Sequence, residues 1–533
     1  MSRARYLWGI VGVLLLAAAL RLSGVAWDGG IGAHPDERYL VGIAEGLDWP
    51  RQLDPFALAP DLAYGHLPIA LFALLGGVDR LLAARLLTAL FDTATVAVAA
   101  ALGDRLFDRR VGLLAAGFLA AMPLHVQQAH FATVDPFLAF FATATVLFAA
   151  RLAERGCRVD AALAGGAAGL ALGCKAGAAL LMLPLAAACW LSGGGNRGRL
   201  LRCLMAGGAV LAAFAATNPF AVLHLPRFLH NVAAQAAMAR GAVEVPYTLQ
   251  YRGTVPYLYP IVQQAIWGMG PALAAISFGG LAAAVVRAVR RPPTRAGWVA
   301  LAWAVPTFAF VGGLSVKFPR YLLPLSPLLA VYGAGWLIDA QRAPSSGRRA
   351  LGALALVPAG LISLGLVLSY ARPHPWMAAS DWMAAHVPAG SVIAVEDWDH
   401  PLPLGSQGLE VRMLPIFAPE TEAKWAAMEA ALAQADAVVI ASRRGYGALA
   451  SQPSMAAYYR SLFVGERGFR VVACFGRWPR VGPLTLADDP FRSAGLPQPG
   501  GDCLPERPVV WMLPLDESFV VYDHPTTIVL LRK

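Results

Sequence analysis

The chain has 533 residues, enough for three or four ordinary domains, yet 57% are hydrophobic and only 14% are charged, against roughly 25% charged in soluble proteins. With a mean hydropathy of +0.55, this excludes a disordered, fibrous or water-soluble globular protein, because one soluble core could not bury that much apolar surface. The net charge of +10 comes mostly from arginines in short clusters between apolar runs, a pattern of membrane topology determinants rather than of a nucleic-acid surface.

In chain order, Arg3 and Arg5 precede an apolar run from Tyr6 to Ala19. It has the charged start of a signal peptide but no small-x-small cleavage site before Trp27, so it reads as a retained first helix. A long outer loop, 27–85, follows. Within it Gly65–Val78 is apolar, short and proline-containing, and reads as an interfacial helix rather than a crossing. Further apolar runs fall at about 86–103, 111–124, 136–152, 160–174, 177–192, 203–217, 265–286, 297–313, 321–338 and 350–370. With the first run they predict a mainly α, polytopic membrane protein of about eleven transmembrane helices. Arginines cluster at Arg3/Arg5, Arg105/Arg109/Arg110, Arg151/Arg155/Arg158, Arg197/Arg199/Arg202, Arg287/Arg290/Arg291/Arg295 and Arg342/Arg348/Arg349. These lie on alternate connections, which makes that side, with the N-terminus, cytoplasmic. The opposite side holds 27–85, 123–135, 174–177, 218–264, 314–320 and everything after Tyr370.

Beyond Tyr370 the apolar runs shorten to strand length: Val392–Val395, Ala437–Ala441, Val471–Cys474, Val509–Met512, Phe519–Tyr522 and Thr527–Leu531. Helical patterns at Glu420–Ala435 and Ser454–Val464 lie between them. The reading is a membrane domain over 1–370 and a small periplasmic α/β domain over 371–533. Cys474 and Cys503 share the oxidising side, so a disulfide or two free thiols both fit the spacing. Cys157, Cys174, Cys189 and Cys203 read as packing residues.

Acidic residues beside a membrane are costly unless paired or used. The first outer loop carries His34-Pro35-Asp36-Glu37-Arg38-Tyr39, where Pro35 pre-sets a helix start; the plain alternative is a pair of acids favoured by the helix dipole. Asp135, in His130-Phe131-Ala132-Thr133-Val134-Asp135-Pro136, heads the fourth span on the same face; its plain alternative is an N-cap. Two acids converging at the boundary could activate a nucleophile or hold a divalent metal. Lys175, Lys317, Arg320 and Tyr321 occur at the same depth, and Arg252 lies in the 218–264 loop with Tyr247, Tyr251, Tyr257 and Tyr259, and with Trp267 just beyond it. Cations there suit a phosphate at headgroup level, whereas the aromatics read as interfacial anchors.

These residues resemble the GT-C glycosyltransferases, most nearly the protein-mannosyltransferase-like group with its aminoarabinose-transferase relatives. The likeness is carried by His34–Tyr39, Tyr64-Gly65-His66-Leu67-Pro68, Thr133–Pro136, Gly173-Cys174-Lys175, Asn218-Pro219-Phe220 and Arg320-Tyr321-Leu322-Leu323-Pro324. The ending Phe519–Pro525 is similar to a bacterial subgroup described as phospholipid-carrier-dependent glycosyltransferases. The resemblance implies a polyprenyl-phosphate-linked sugar donor and an inverting transfer to a lipid, protein or glycan acceptor. It places that transfer on the periplasmic face of a bacterial inner membrane. It makes Asp36 the catalytic acid, with Glu37 beside it, and Asp135 the second acid. It sets Lys175 near the donor phosphate; Arg320, Tyr321, Lys317, Tyr64, His66 and Arg252 are further candidate substrate contacts, and His66 could meet a phosphate or a metal. If a divalent metal (Mg, Mn or Zn) takes part, Asp36, Asp135 and His34 are its ligands; the histidine spacings are not a zinc signature. The chain departs from the relatives at His66, where they carry lysine, and at Asp36–Tyr39, one residue shorter than their Asp-Glu-x-Arg-Tyr.

Two other classes compete. A lipid-linked sugar flippase or transporter would place charges or broken helices at mid-membrane, with repeat symmetry, and neither pattern is visible. A non-catalytic scaffold would leave Asp36 and Glu37 dispensable. The segment Tyr522-Asp523-His524-Pro525 is tempting as a site, but its position between two strand-like runs favours a turn.

Overall fold

A computed structural model describes residues 1–48, 50–76, 79–341, 347–405, 408–500, 503–505 and 508–533. Val78 and Arg342 therefore lie outside the described residues, as do the side chains of Arg348 and Arg349. The chain divides into two compact units, one made of Met1–Val25, His34–Ala242 and Val255–Ser363, the other of Ala26–Ala33, Val243–Thr254 and Leu364–Lys533.

The first unit is built of helices, most of them apolar. Arg80–Leu106 packs against Arg3–Leu22, Arg109–Ala120 and Asp135–Arg155. Arg158–Leu172 lies against Asn196–Thr217, so closely that a Cβ on Gly165 would sit 2.2 Å from the Ala206 carbonyl oxygen. Small residues permit that approach, as is usual where lipid supplies no hydrophobic drive between helices. The expected run at 111–124 is not straight. The helix Arg109–Ala120 stops and Pro123–Ala129 resumes at 61° to it, because Pro123 has no N–H to continue the ladder. Among the described residues, six helices are long and apolar enough to cross a bilayer, seven if the bent pair counts as one. Others are shorter: Arg158–Leu172 has 15 residues, roughly 22 Å against a hydrocarbon core of about 30 Å. Two expected spans also start late. A π-turn, Gln264–Gly268, precedes the helix Pro271–Arg290, and a 3-10 turn, Pro319–Leu322, precedes Ser326–Gln341.

The second unit carries the sheets. Its strands are β1 (Val392–Glu396), β2 (Glu410–Leu414), β3 (Ala437–Ile440), β4 (Phe469–Phe475), β5 (Arg480–Val481), β6 (Leu484–Ala487), β7 (Val509–Trp511) and β8 (Thr527–Arg532). A five-stranded sheet has the order β2-β1-β3-β8-β4. Its first three strands are parallel, and β8 runs antiparallel to both β3 and β4. A three-stranded sheet has the order β5-β6-β7. Helices Glu422–Gln434 and Pro453–Phe463 help close a core around Ile440, Tyr446, Tyr459, Phe491 and Leu530. The expected strand at Phe519–Tyr522 is instead the helical turn Glu517–Val520. Asp516 caps it by accepting the Ser518 N–H, and a cap of this kind ends extended backbone. Cys474 and Cys503 form a disulfide. Two short segments from earlier in the chain, Ala26–Ala33 and Val243–Thr254, are woven into this unit. The Trp27 carbonyl accepts from Arg477 Nη1 at 2.7 Å, and Gln250 Oε1 accepts the Glu517 N–H at 2.8 Å.

Candidate functional site

The site starts at the helix Pro35–Gly46. His34 caps it, its Nδ1 accepting the Asp36 N–H at 3.2 Å, and Pro35 occupies the first turn where no N–H is needed. That fixes Asp36 one residue into the helix with its carboxylate free to pair elsewhere. Asp36 Oδ2 lies 2.9 Å from Arg320 Nη1, and the Tyr64 hydroxyl donates to the same carboxylate. His34 Nε2 is 3.5 Å from Arg320 Nη1, and its ring rests on Phe131.

Asp135 opens the helix Asp135–Arg155 as its first residue, and Val134 is the N-cap. Its carboxylate points to cations. Oδ1 accepts from Lys175 Nζ at 2.9 Å, and Oδ2 is 3.8 Å from Arg320 Nε. The N-cap role expected as its plain alternative is not the one it plays. Lys175 in turn lies over the rings of Tyr321, at 5.0 Å, and Tyr64, at 5.9 Å. Its backbone forms an antiparallel bridge with Tyr64, framed by the Gly65 N–H to Cys174 carbonyl and Leu67 N–H to Gly173 carbonyl bonds, each 3.0 Å. A Cβ on Gly65 would meet the Gly173 oxygen at 2.1 Å, so only glycine allows the two loops to meet there.

Four chain segments thus deliver an alternating row, Asp36, Arg320, Asp135, Lys175. The inner members are nearly covered: the Asp135 side chain is 4% exposed and that of Arg320 11%. The outer members, Asp36 at 24% and Lys175 at 23%, remain open. Burial alone would raise the Asp36 pKa. Arg320, His34, Lys175 and the Tyr64 hydroxyl more than offset it and hold the carboxyl below its usual range. Tyr64 moves the other way. Burial, then the neighbouring Asp36, push its hydroxyl well up, so it stays a donor.

Glu37 is not part of this row. Its carboxylate is fully buried and held bidentately by Arg85, at 2.8 and 2.7 Å, with a third bond from the Ala132 N–H at 2.7 Å. Arg85 is the partner of Glu37 that the sequence reading missed, although an arginine beside the apolar run that starts at 86 was the available signal. Lys317 is buried and donates to the Ser315 carbonyl at 2.8 Å. Arg252 belongs to the other unit, where it pairs with Glu244 on the surface. His66 is 3% exposed, edge-on to Phe56 and Phe228. Its backbone N–H is held by Asn218 Oδ1 at 2.6 Å, but both ring nitrogens lack a hydrogen-bond partner among the described residues. Burial pushes its pKa down to about 4, so the ring is neutral at pH 7.

Of the expected metal set Asp36, Asp135 and His34, the two carboxylates have the Arg320 guanidinium between them, at 2.9 and 3.8 Å. Among the described residues, no group of three His, Cys, Asp or Glu side chains is arranged to hold a metal.

A family model described as dolichyl-phosphate-mannose-protein mannosyltransferase matches residues 65–222. No curated protein sequence matches the chain. Among solved structures, the archaeal oligosaccharyltransferase AglB from Archaeoglobus fulgidus, in complex with an inhibitory peptide and a dolichol-phosphate, superposes with a TM-score of 0.53 at 15% identity, over 85% of this chain and 72% of that one. ArnT from Cupriavidus metallidurans bound to undecaprenyl phosphate gives a TM-score of 0.46 at 16% identity, over 85% of this chain and 95% of that one. At 15% identity the likeness to AglB establishes fold and not activity.

Proposed function

With the GT-C glycosyltransferase architecture as premise, we propose that the protein transfers a sugar from a polyprenyl-phosphate carrier to an acceptor hydroxyl on the outer face of the membrane, with Asp36 as base. The observation that carries this reading is the row Asp36–Arg320–Asp135–Lys175, two carboxylates and two cations from four separate segments.

The chemistry asks two things of a protein. The acceptor oxygen must lose its proton as it attacks the anomeric carbon, and the phosphate must accept charge as its bond to that carbon breaks. Asp36 is ionised and partly open, so it serves as the acceptor of that proton. Lys175 and Arg320 receive the phosphate charge, and Asp135 holds both cations in place. One displacement with one base inverts the anomeric centre; no second carboxylate is needed as a covalent nucleophile. Arg320 also tunes the base. While it pairs with Asp36 it weakens that carboxylate as a proton acceptor, and a phosphate that draws the guanidinium away restores its basicity. The base therefore strengthens once the donor is seated. Apolar helices hold the polyprenyl tail.

In this proposal the protein is a multi-pass protein of a bacterial inner membrane with about eleven crossings. Its N-terminus is cytoplasmic, its catalytic region lies within 1–370 and the region 371–533 is periplasmic. Incubating purified protein in lipid nanodiscs with radiolabelled polyprenyl-phosphate sugars and extracted envelope fractions tests it. The wild type should form a labelled glycosidic product. Asp36→Asn should insert and fold normally yet lose transfer by about 10²–10⁴-fold, the usual worth of a general base. Retained transfer in Asp36→Asn would remove the base assignment.

A further inference from the structure

We propose that Arg21, Asp92, His125 and Ser326 form a buried relay that sets the relative positions of Asp36, Asp135 and Arg320. They act as positioning residues for the reaction proposed above, on which this inference rests.

The four side chains come from four separate helices and are 0–2% exposed. Arg21 Nε donates to Asp92 Oδ2 at 2.6 Å. Asp92 Oδ1 is 2.6 Å from His125 Nδ1, and His125 Nε2 is 2.5 Å from the Ser326 hydroxyl oxygen. The Ser326 hydroxyl also donates to the Leu323 carbonyl at 2.7 Å. Because a carboxylate only accepts, His125 Nδ1 must carry a proton. Arg21 does further work at the bend in the chain. Its Nη1 and Nη2 donate to the carbonyls of Ala120 and Leu119, at 3.1 and 3.2 Å. These carbonyls lie in the last turn of the helix Arg109–Ala120, just before Pro123, and the Leu119 carbonyl also accepts the Met122 N–H at 3.3 Å.

The places of these residues in the chain give the relay its meaning. Arg21 sits in the last turn of Arg3–Leu22, which feeds the loop bearing Asp36. His125 lies in Pro123–Ala129, which feeds the loop bearing Asp135. Ser326 opens the helix that follows Pro319–Leu322, the turn bearing Arg320. The three segments that deliver the base, the second acid and the bridging guanidinium are therefore tied together behind the row by one chain of hydrogen bonds. Ionised groups in an apolar core are costly unless fully paired, and here each is paired to a neighbour that leads to the site.

The test uses the full-length protein in nanodiscs and two readouts, of which the first needs no substrate. Hydrogen–deuterium exchange is compared for wild type, Ser326→Ala and Ser326→Thr. Ser326→Ala should speed exchange in the peptides covering 316–326 and 123–135 while the rest of the molecule keeps its rate, and Ser326→Thr, which keeps the hydroxyl, should restore protection. Unchanged protection, or a rise spread evenly over the chain, would overturn the proposal. The second readout is transfer from a labelled polyprenyl-phosphate sugar. Ser326→Ala should lower kcat roughly tenfold, the scale of one lost buried hydrogen bond, with KM for the donor nearly unchanged. In an Arg320→Lys background the same change should cost nothing further, because both act on one group. Additive losses would show that the relay does not work through Arg320. If the wild type shows no transfer while the exchange pattern appears, the glycosyltransferase reading fails and the relay stands.

Discussion

Asp36 and Glu37 are adjacent, yet a turn of about 100° per residue sends them to different surroundings. Asp36 keeps a partly open carboxylate beside Arg320, whereas Glu37 is enclosed by Arg85 and the Ala132 N–H. Glu396 at the end of β1 is a third case. It is 3% exposed, and the Tyr459 hydroxyl donates to its Oε1 at 2.8 Å. Burial pushes its pKa from 4.5 up to about 8. The folded protein therefore keeps this proton up to about pH 8, while the unfolded chain releases it near pH 4.5. Between those values the fold binds more protons, so stability falls as pH rises. Glu396→Gln retains the acceptor for Tyr459 and removes the titration. Its thermal unfolding midpoint should exceed that of wild type at pH 8, and the two should converge near pH 4.5. Parallel pH profiles would refute the assignment. Among these acids, only the cost of a carboxylate beside a bilayer was legible in the sequence. It singled out Asp36 and Asp135 but could not separate Asp36 from Glu37, because the partner that decides, Arg85, is 48 residues away.

At the scale of elements, the site depends on two loops meeting edge to edge. Tyr64 and Lys175 are paired by the bridge around Gly65 and Gly173, and that pairing puts the lysine over the tyrosine ring and within reach of Asp135. Gly65→Ala would place a methyl group 2.1 Å from the Gly173 oxygen, so the backbones must separate. We expect Gly65→Ala to lose most donor binding, read as a loss of the thermal stabilisation given by undecaprenyl phosphate, while Gly177→Ala, whose added carbon meets nothing within 4 Å, leaves it intact. Equal stabilisation in both variants would mean that the loop contact does not matter. Hydrophobic periodicity located the long helices well, because apolar composition alone sets them. It could not see the bend at Ala121–Met122, nor the capped turn that replaces a strand at Phe519–Tyr522. A proline and a side-chain cap, not the apolar pattern, decide those places. It also passed over β2, whose residues are mostly exposed and include Glu410 and Arg412, so it lacks the buried apolar run that marks a strand.

For the molecule as a whole, sidedness decides whether the proposed chemistry has a substrate. A sugar donor whose carrier phosphate faces the outer surface can meet Asp36 only if the loop holding His34–Tyr39 lies on that side. The arginine clusters argue for this orientation, since short loops rich in arginine are retained on the cytoplasmic side. Single cysteines can be placed at exposed positions after Cys157, Cys174, Cys189 and Cys203 are replaced by alanine, leaving the Cys474–Cys503 disulfide in place. In intact spheroplasts a membrane-impermeant maleimide should label Glu45→Cys, in the last turn of the Asp36 helix, and Glu422→Cys, in the sheet-bearing unit. Ser2→Cys and Asn196→Cys should react only after lysis. Labelling of Asn196→Cys before lysis, with Glu45→Cys protected, would invert the topology and put the carboxylate–guanidinium row on the face where nucleotide sugars, rather than exported lipid-linked sugars, are the available donors. The same variants separate a wrong orientation from a wrong activity, because labelling reads the position of the chain whether or not any sugar is transferred.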